Sequence, residues 1–255
     1  MTVQAVAQQV PSPVRRINRT RERAFFGGMA LLMIATILLG FRMTYFRLGE
    51  RPVALSSWVI VVHGAVFSLW LALFLVQTAL IATRKVKWHM SLGLAIYGLA
   101  ILVFPLGLFA AADELRRKVA IGPPYLFGYE PRTFSLVSVM GMVMFGTLIA
   151  WSYAVRRKPD AHKRLALYAT LCMMDAGIDR WPWDVWGISQ SWATWVYTAF
   201  LLLPVIYDLM SLRRIHWATA FAAPFAFTLH RLEIPLGQTH AWHAVSNWML
   251  ALWHS

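Results

Sequence analysis

Cysteine, acidic side chains and the common catalytic motifs are what this chain of 255 residues has least of. A single cysteine, Cys172, excludes any disulfide within the chain. It also leaves no CxxCH, so covalent attachment of a c-type haem is excluded. Cys172 lies in an apolar stretch, where a thiol usually serves as a small core residue rather than a reactive group. HExxH, GxSxG and Walker patterns are missing, as is the dense histidine clustering of membrane di-iron hydroxylases. Those absences weigh against an enzyme. The alternation of apolar and polar residues that marks barrel strands is missing too, which excludes a transmembrane barrel. Acidic residues number 11 against 24 lysines and arginines, for a formal net charge of +13.

What the chain has in quantity is apolar sequence. It is 59% hydrophobic and 14% charged, with a mean hydropathy of +0.55, too apolar for a soluble domain. Crossing a bilayer takes ~20 mostly apolar residues in a helix. Seven segments qualify, over residues 24–41, 55–83, 89–111, 134–155, 165–180, 189–212 and 215–229; the last is short and carries Pro224. The predicted fold is therefore all-α, a polytopic transmembrane helix bundle of about seven spans. Residues 1–23 read as a disordered basic cytoplasmic tail, 24–230 as the bundle, and 231–255 as an interfacial helix on the outer side. In that last stretch Trp242, Val245, Trp248, Met249 and Leu252 recur at helical spacing. No apolar core precedes Ala24, so the first span reads as a retained anchor rather than a cleaved signal.

The connections orient the bundle. With the N-terminus cytoplasmic, that side carries fifteen basic residues and three acids (Glu22, Asp160 and Asp208), a net of +12. The other side carries nine basic residues and eight acids, a net of +1. This is the positive-inside asymmetry, and it places the chain in the cell (inner) membrane as a multi-pass protein. The bases are dispersed through short loops, so the expected partners are the bilayer and its anionic head groups, with membrane-protein partner subunits as a further option, and no nucleic acid. Tryptophans near predicted helix ends form an interfacial belt; Trp181, Trp183 and Trp186 could alternatively form a stacking platform. The outer connection over residues 112–132, with Gly122-Pro123-Pro124 and Glu130-Pro131, reads as a surface loop or a lid.

The histidines carry the candidate chemistry. His89, His162 and His216 each follow a basic cluster and open a returning helix. A helix N-terminus disfavours imidazolium, so these rings should be neutral and keep a lone pair for a metal, a haem iron or a proton. His63 lies within the second span, about 7 to 8 Å below Trp58 at 1.5 Å rise per residue. Asp175 and Asp179 reach a similar depth in the fifth span and, four apart, share one helix side. With Arg180, and with Arg42 of the first span in reach, His63, Asp175 and Asp179 form the predicted buried polar constellation. It serves either as a structural ion-pair network or as a site for a metal, proton or substrate. For a cofactor the candidate ligands are His89 facing His162, and His63 with His230 as a distant partner; haem b or a metal is the option.

Two resemblances bear on this. His63-Gly64 through Gln77, then His89 with Gly93, and later His162-Lys163-Arg164 through Asp179-Arg180-Trp181, resemble a bacterial multi-pass membrane family known only as a domain of unknown function. The chain has Met90 where that family usually has Arg. The resemblance implies a helix hairpin with a His…Gln…His-x-x-x-Gly pattern and no established activity. There is a distant similarity to cytochrome b561-like bundles, which implies histidine ligands on four consecutive helices. Here the fourth span offers only Met140, Met142 and Met144. The functional expectation is thus a non-enzymatic carrier, sensor or accessory subunit with a buried His/Asp/Arg network. The alternative is a membrane redox protein that binds haem, quinone or a metal.

Overall fold

A computed structural model describes residues 18–42, 57–123 and 128–252. Of the described residues 83% are helical, and none is in a strand. The helices are α1 Arg19–Phe41, α2 Trp58–Ala82, α3 Val86–Ile121, α4 Pro131–Ala154, α5 Pro159–Leu171, α6 Asp175–Ile178, α7 Trp192–Leu212, α8 Trp217–Gly237 and α9 His240–Ala251. Five of them, α1, α2, α3, α4 and α7, are long and apolar enough to cross a membrane.

Local chemistry sets the helix ends. Asn18 caps α1 by accepting from the amides of Thr20 and Arg21, and Ser57 caps α2. Proline opens α4 and α5, where its missing N–H has no cost. Gly122 stops α3 at φ 74°, a backbone conformation open mainly to glycine.

The packing is apolar outside and partly polar inside. Leu69 and Val76 of α2, Ile101 and Leu102 of α3, and Ile206 and Met210 of α7 are exposed, as suits helices solvated by lipid. The predicted span over residues 165–180 is the most enclosed. Leu165, Leu167, Tyr168 and Leu171 of α5 have no exposed surface, because α5 is packed against α4, α7 and α8. Beside them Arg164 and Asp208 form a fully buried ion pair between α5 and α7.

Four segments differ from the sequence expectation. The α1 helix begins at Arg19, so residues 19–23 are helix and not tail; Glu22 is buried and meets Lys163 of α5. Residues 1–17 of the expected tail, together with 43–56, 124–127 and 253–255, lie outside the described residues. Half of the expected loop over 112–132 is helix, since α3 continues to Ile121. Asp113 holds that extension through Arg116 (3.2 Å) and Arg117 (3.0 Å), and also accepts from Ser57 at the start of α2 (2.6 Å). The α8 helix runs to Gly237, so residues 231–237 belong to it and not to the C-terminal interfacial helix. That helix is α9, which rests on α4 through Trp242 Nε1 to the Arg132 carbonyl (2.8 Å) and Arg132 Nε to Asn247 (2.8 Å).

The fourth difference matters most for the site. Residues 165–180 form no continuous helix: α5 ends at Leu171, the chain turns through Cys172–Met174, and α6 makes a single turn. Contacts made after the turn hold it. Trp183 Nε1 donates to the Ile178 carbonyl (2.9 Å) and Trp181 Nε1 to the Thr36 carbonyl of α1 (3.2 Å). α6 also lies directly on α1: a Cβ at Gly40 would stand 2.1 Å from the Gly177 carbonyl oxygen. Gly40→Ala should therefore push α6 off α1 and cost about 1–3 kcal/mol in detergent unfolding. Gly98→Ala, where nothing lies within 4 Å, should be neutral or slightly stabilising. Equal effects would contradict the close crossing.

Candidate functional site

Two polar clusters stand out, one at each end of the bundle. The first lies where the basic turns are. Ser152, in the last turn of α4, and His162, in the first turn of α5, are brought together by the short connection between them. Ser152 Oγ lies 2.9 Å from His162 Nδ1 and donates to the His162 carbonyl at 3.1 Å. Tyr97 of α3 adds its hydroxyl, 3.0 Å from Ser152 Oγ and 3.2 Å from His162 Nδ1. His89 faces His162, with ring centroids 6.4 Å apart at 74°. Gln77 of α2 fixes His89 from behind. Its amide nitrogen meets the His89 carbonyl and Nδ1 when its oxygen accepts from the Gly93 amide at 2.9 Å. The predicted facing of His89 and His162 is thus present, with Gln77, Tyr97 and Ser152 holding it.

The same end carries a charged lock. Lys163 bridges Glu22 and Asp160, while Arg164 pairs with Asp208. Asp208 Oδ2 also accepts from the His216 amide (3.1 Å), and His216 Nδ1 caps α8 by accepting from Ala218 N–H (3.1 Å). A ring nitrogen that accepts is unprotonated, as expected for histidine at a helix start. Burial alone would raise the Asp160 carboxyl. The Lys163 hydrogen bond and the charges of Lys163 and Arg164 outweigh it and leave Asp160 below the usual carboxylate range.

The second cluster is deeper. Asp175 opens α6, directly after the turn that breaks the predicted fifth span. His230 and Glu233 are three apart on α8 and so share a face. One potential ligand atom from each of Asp175, His230 and Glu233 lies within 4.8 Å of the others. His230 Nδ1 is 3.1 Å from Glu233 Oε2. Asp175 Oδ1 accepts from the Ala176 amide (2.7 Å). The Tyr197 ring of α7 lies on the His230 ring at 4.4 Å. Glu233 Oε1 is buried without a hydrogen-bond partner. Cys172 is buried alongside, near enough to Asp175 and Glu233 to feel their charge.

The predicted constellation is distributed differently from its sequence reading. Asp175 joins His230 and Glu233, and Asp179 lies close enough to both to share their field. His63 is half-buried and stacks on Phe67 of its own helix, with centroids 6.2 Å apart; it is not in the cluster, and His230 has Glu233 and Tyr197 beside it. Arg180 lies over the Phe41 ring (5.0 Å) and donates to the Ala176 carbonyl (2.7 Å). Arg42 closes α1 at an exposed position. Glu233 escaped sequence reasoning because it sits past the predicted end of the seventh span. The available signal was its spacing of three from His230. Trp181, Trp183 and Trp186 do pack on one another at 5.6 to 6.0 Å.

These features define a class: an all-helical protein with five membrane-length apolar helices and ionisable groups enclosed among them. No family model, curated protein or solved structure matches the chain. Chemically, the deep cluster can exchange a proton or hold a cation, and the rim cluster presents two oriented imidazoles. Ser152→Ala removes the group that Tyr97 and His162 share, and should cost about 1–3 kcal/mol in unfolding. Ser91→Ala, at an exposed position of α3, should cost almost nothing; equal losses would show that Ser152 does not hold His162.

Proposed function

We propose that this is a bacterial inner-membrane protein of seven crossings with a cytoplasmic N-terminus. In this reading α5 and α6 together make a broken fifth crossing, and α8 makes the seventh. The charge asymmetry of +12 against +1 across the connections supports the orientation. The resemblance to the multi-pass family of unknown function fits this topology and adds no activity to it.

Within that frame the protein is a non-enzymatic carrier or sensor that takes up and releases a small cation, minimally a proton, at Asp175, His230 and Glu233. One observation carries the reading: Glu233 Oε1 is buried without a partner next to a second buried carboxylate. Arg164 and Asp208 neutralise each other, as a structural pair does. The deep cluster has two carboxyl groups and a single imidazole, and among the described residues no lysine or arginine pairs with either carboxyl group, so ionising both calls for a cation. Ionisable groups retained at such expense in a membrane bundle usually serve transport or signalling.

In vesicles carrying an imposed potential and a trapped pH dye, the wild-type protein should raise cation or proton entry, or change its tryptophan fluorescence with pH. Glu233→Gln should return both signals to the level of protein-free vesicles. A wild-type protein silent in both assays would sink the reading.

The rim cluster favours a second reading, a redox protein with haem between His89 and His162. Their centroid spacing of 6.4 Å is near what two imidazoles on one iron require. The purified protein should then show a Soret band that shifts on dithionite reduction and is lost in His89→Ala. A colourless preparation ends that alternative.

A further inference from the structure

The geometry points to a divalent transition-metal site at Asp175, His230 and Glu233. This deepens the reading of the same cluster as a cation site, and rests on it for a role but not for binding.

The donor set comes first. Two carboxylates and one imidazole suit Zn²⁺, Mn²⁺ or Fe²⁺. Ca²⁺ and Mg²⁺ prefer shells made entirely of oxygen, with more ligands than this site offers. Three protein ligands with a fourth position open is the arrangement of exchangeable zinc sites.

Spacing is the second argument. His230 Nδ1 and Glu233 Oε2 are 3.1 Å apart. Two donors on one tetrahedral ion, at bonds of ~2.1 Å, stand about 3.4 Å from each other. An ion can thus replace the shared proton with almost no movement of α8. Asp175, whose ligand atom lies within 4.8 Å of both, needs only to close by about an ångström to complete a three-ligand site. It sits on a single-turn helix after a break, where side-chain rotation can supply that.

Charge and satisfaction are the third. The cluster is sealed in the core: Asp175 is 7% exposed and Glu233 2% exposed. Ionised together, two carboxylates there would repel each other, and a divalent cation would neutralise both. Glu233 Oε1 is the orphan this leaves unexplained, since a buried carboxylate oxygen without a donor is rare. A metal ion gives it a partner. Among the described residues no lysine or arginine forms an ion pair with either carboxylate, in contrast to Asp208 and Glu22. Tyr197, with its ring against His230, borders the same space.

The test uses the full-length protein in detergent, expressed with zinc, manganese or iron supplied and measured by elemental analysis. About one ion per chain is expected in the wild type, and Glu233→Gln, Asp175→Asn and His230→Ala should each weaken retention by about tenfold or more. Glu114→Gln, an acid outside the cluster, should retain the ion. Because a variant can lose its ion by misfolding, Co²⁺ loading of the wild-type protein gives a second readout. Visible absorption from a nitrogen- and oxygen-ligated Co²⁺ is expected. Wild-type protein that carries no ion above a buffer blank and stays colourless with Co²⁺ overturns the site; so does equal retention in the three folded variants. Loss of the metal result with a persisting Glu233-dependent proton signal would overturn the metal and leave the cation-exchange reading standing. Metal bound without any flux or fluorescence response would do the reverse.

Discussion

The Arg164–Asp208 pair is the interaction on which the rest of the arrangement depends. Both groups are essentially without exposed surface, so each would be prohibitively expensive alone in an apolar surround. Their pairing joins α5 to α7, and Asp208 also accepts the His216 amide at the start of α8. Three helices are thereby gathered at one point. Lys163, next to Arg164, reaches Glu22 and ties in α1. A short helix of thirteen residues, with a turn at its end, can therefore occupy the middle of a bundle whose five membrane-length helices have 21 residues or more. The apolar residues of α5 then face neighbours on every side, which explains why a helix too short to cross a membrane by itself is so enclosed.

That central helix sets both clusters. At its first turn it delivers His162 to Ser152, Tyr97 and His89. Just beyond its last residue the chain turns and presents Asp175 to His230 and Glu233. One end of α5 is held by charges that cancel. The other opens onto two carboxyl groups that no lysine or arginine neutralises among the described residues, and this difference separates the parts that hold the protein together from the part proposed to work. The close approach of Gly40 to Gly177 positions α6, and hence Asp175, against α1; without it the carboxylate would have no fixed place opposite α8.

Much of the helical architecture was legible in the residues. Runs of apolar sequence, proline at helix starts, glycine at Gly122 and the histidines following basic clusters all act over a few residues, where local chemistry is decisive. The facing of His89 and His162 was legible too, since both open helices at the same end. The deep site was legible only in part. Asp175 and His230 were both conspicuous as ionisable groups in apolar segments, but periodicity says nothing about which helix lies opposite which. His63 looked like the natural companion of Asp175 by depth, and depth is one coordinate of three. Glu233 was hidden because the apolar run ends at residue 229, before His230 and Arg231, while the helix continues to Gly237.

Composition and local pattern alone determined that the chain is helical, apolar on the outside and unable to form a disulfide within itself. Tertiary packing alone decided that the fifth segment breaks, that α3 and α8 extend past their apolar runs, and that Asp175 meets Glu233 and not His63. The reason is physical. A helix is specified by neighbours three and four residues away, whereas the partner of a buried charge is specified by whichever distant helix the whole bundle places beside it.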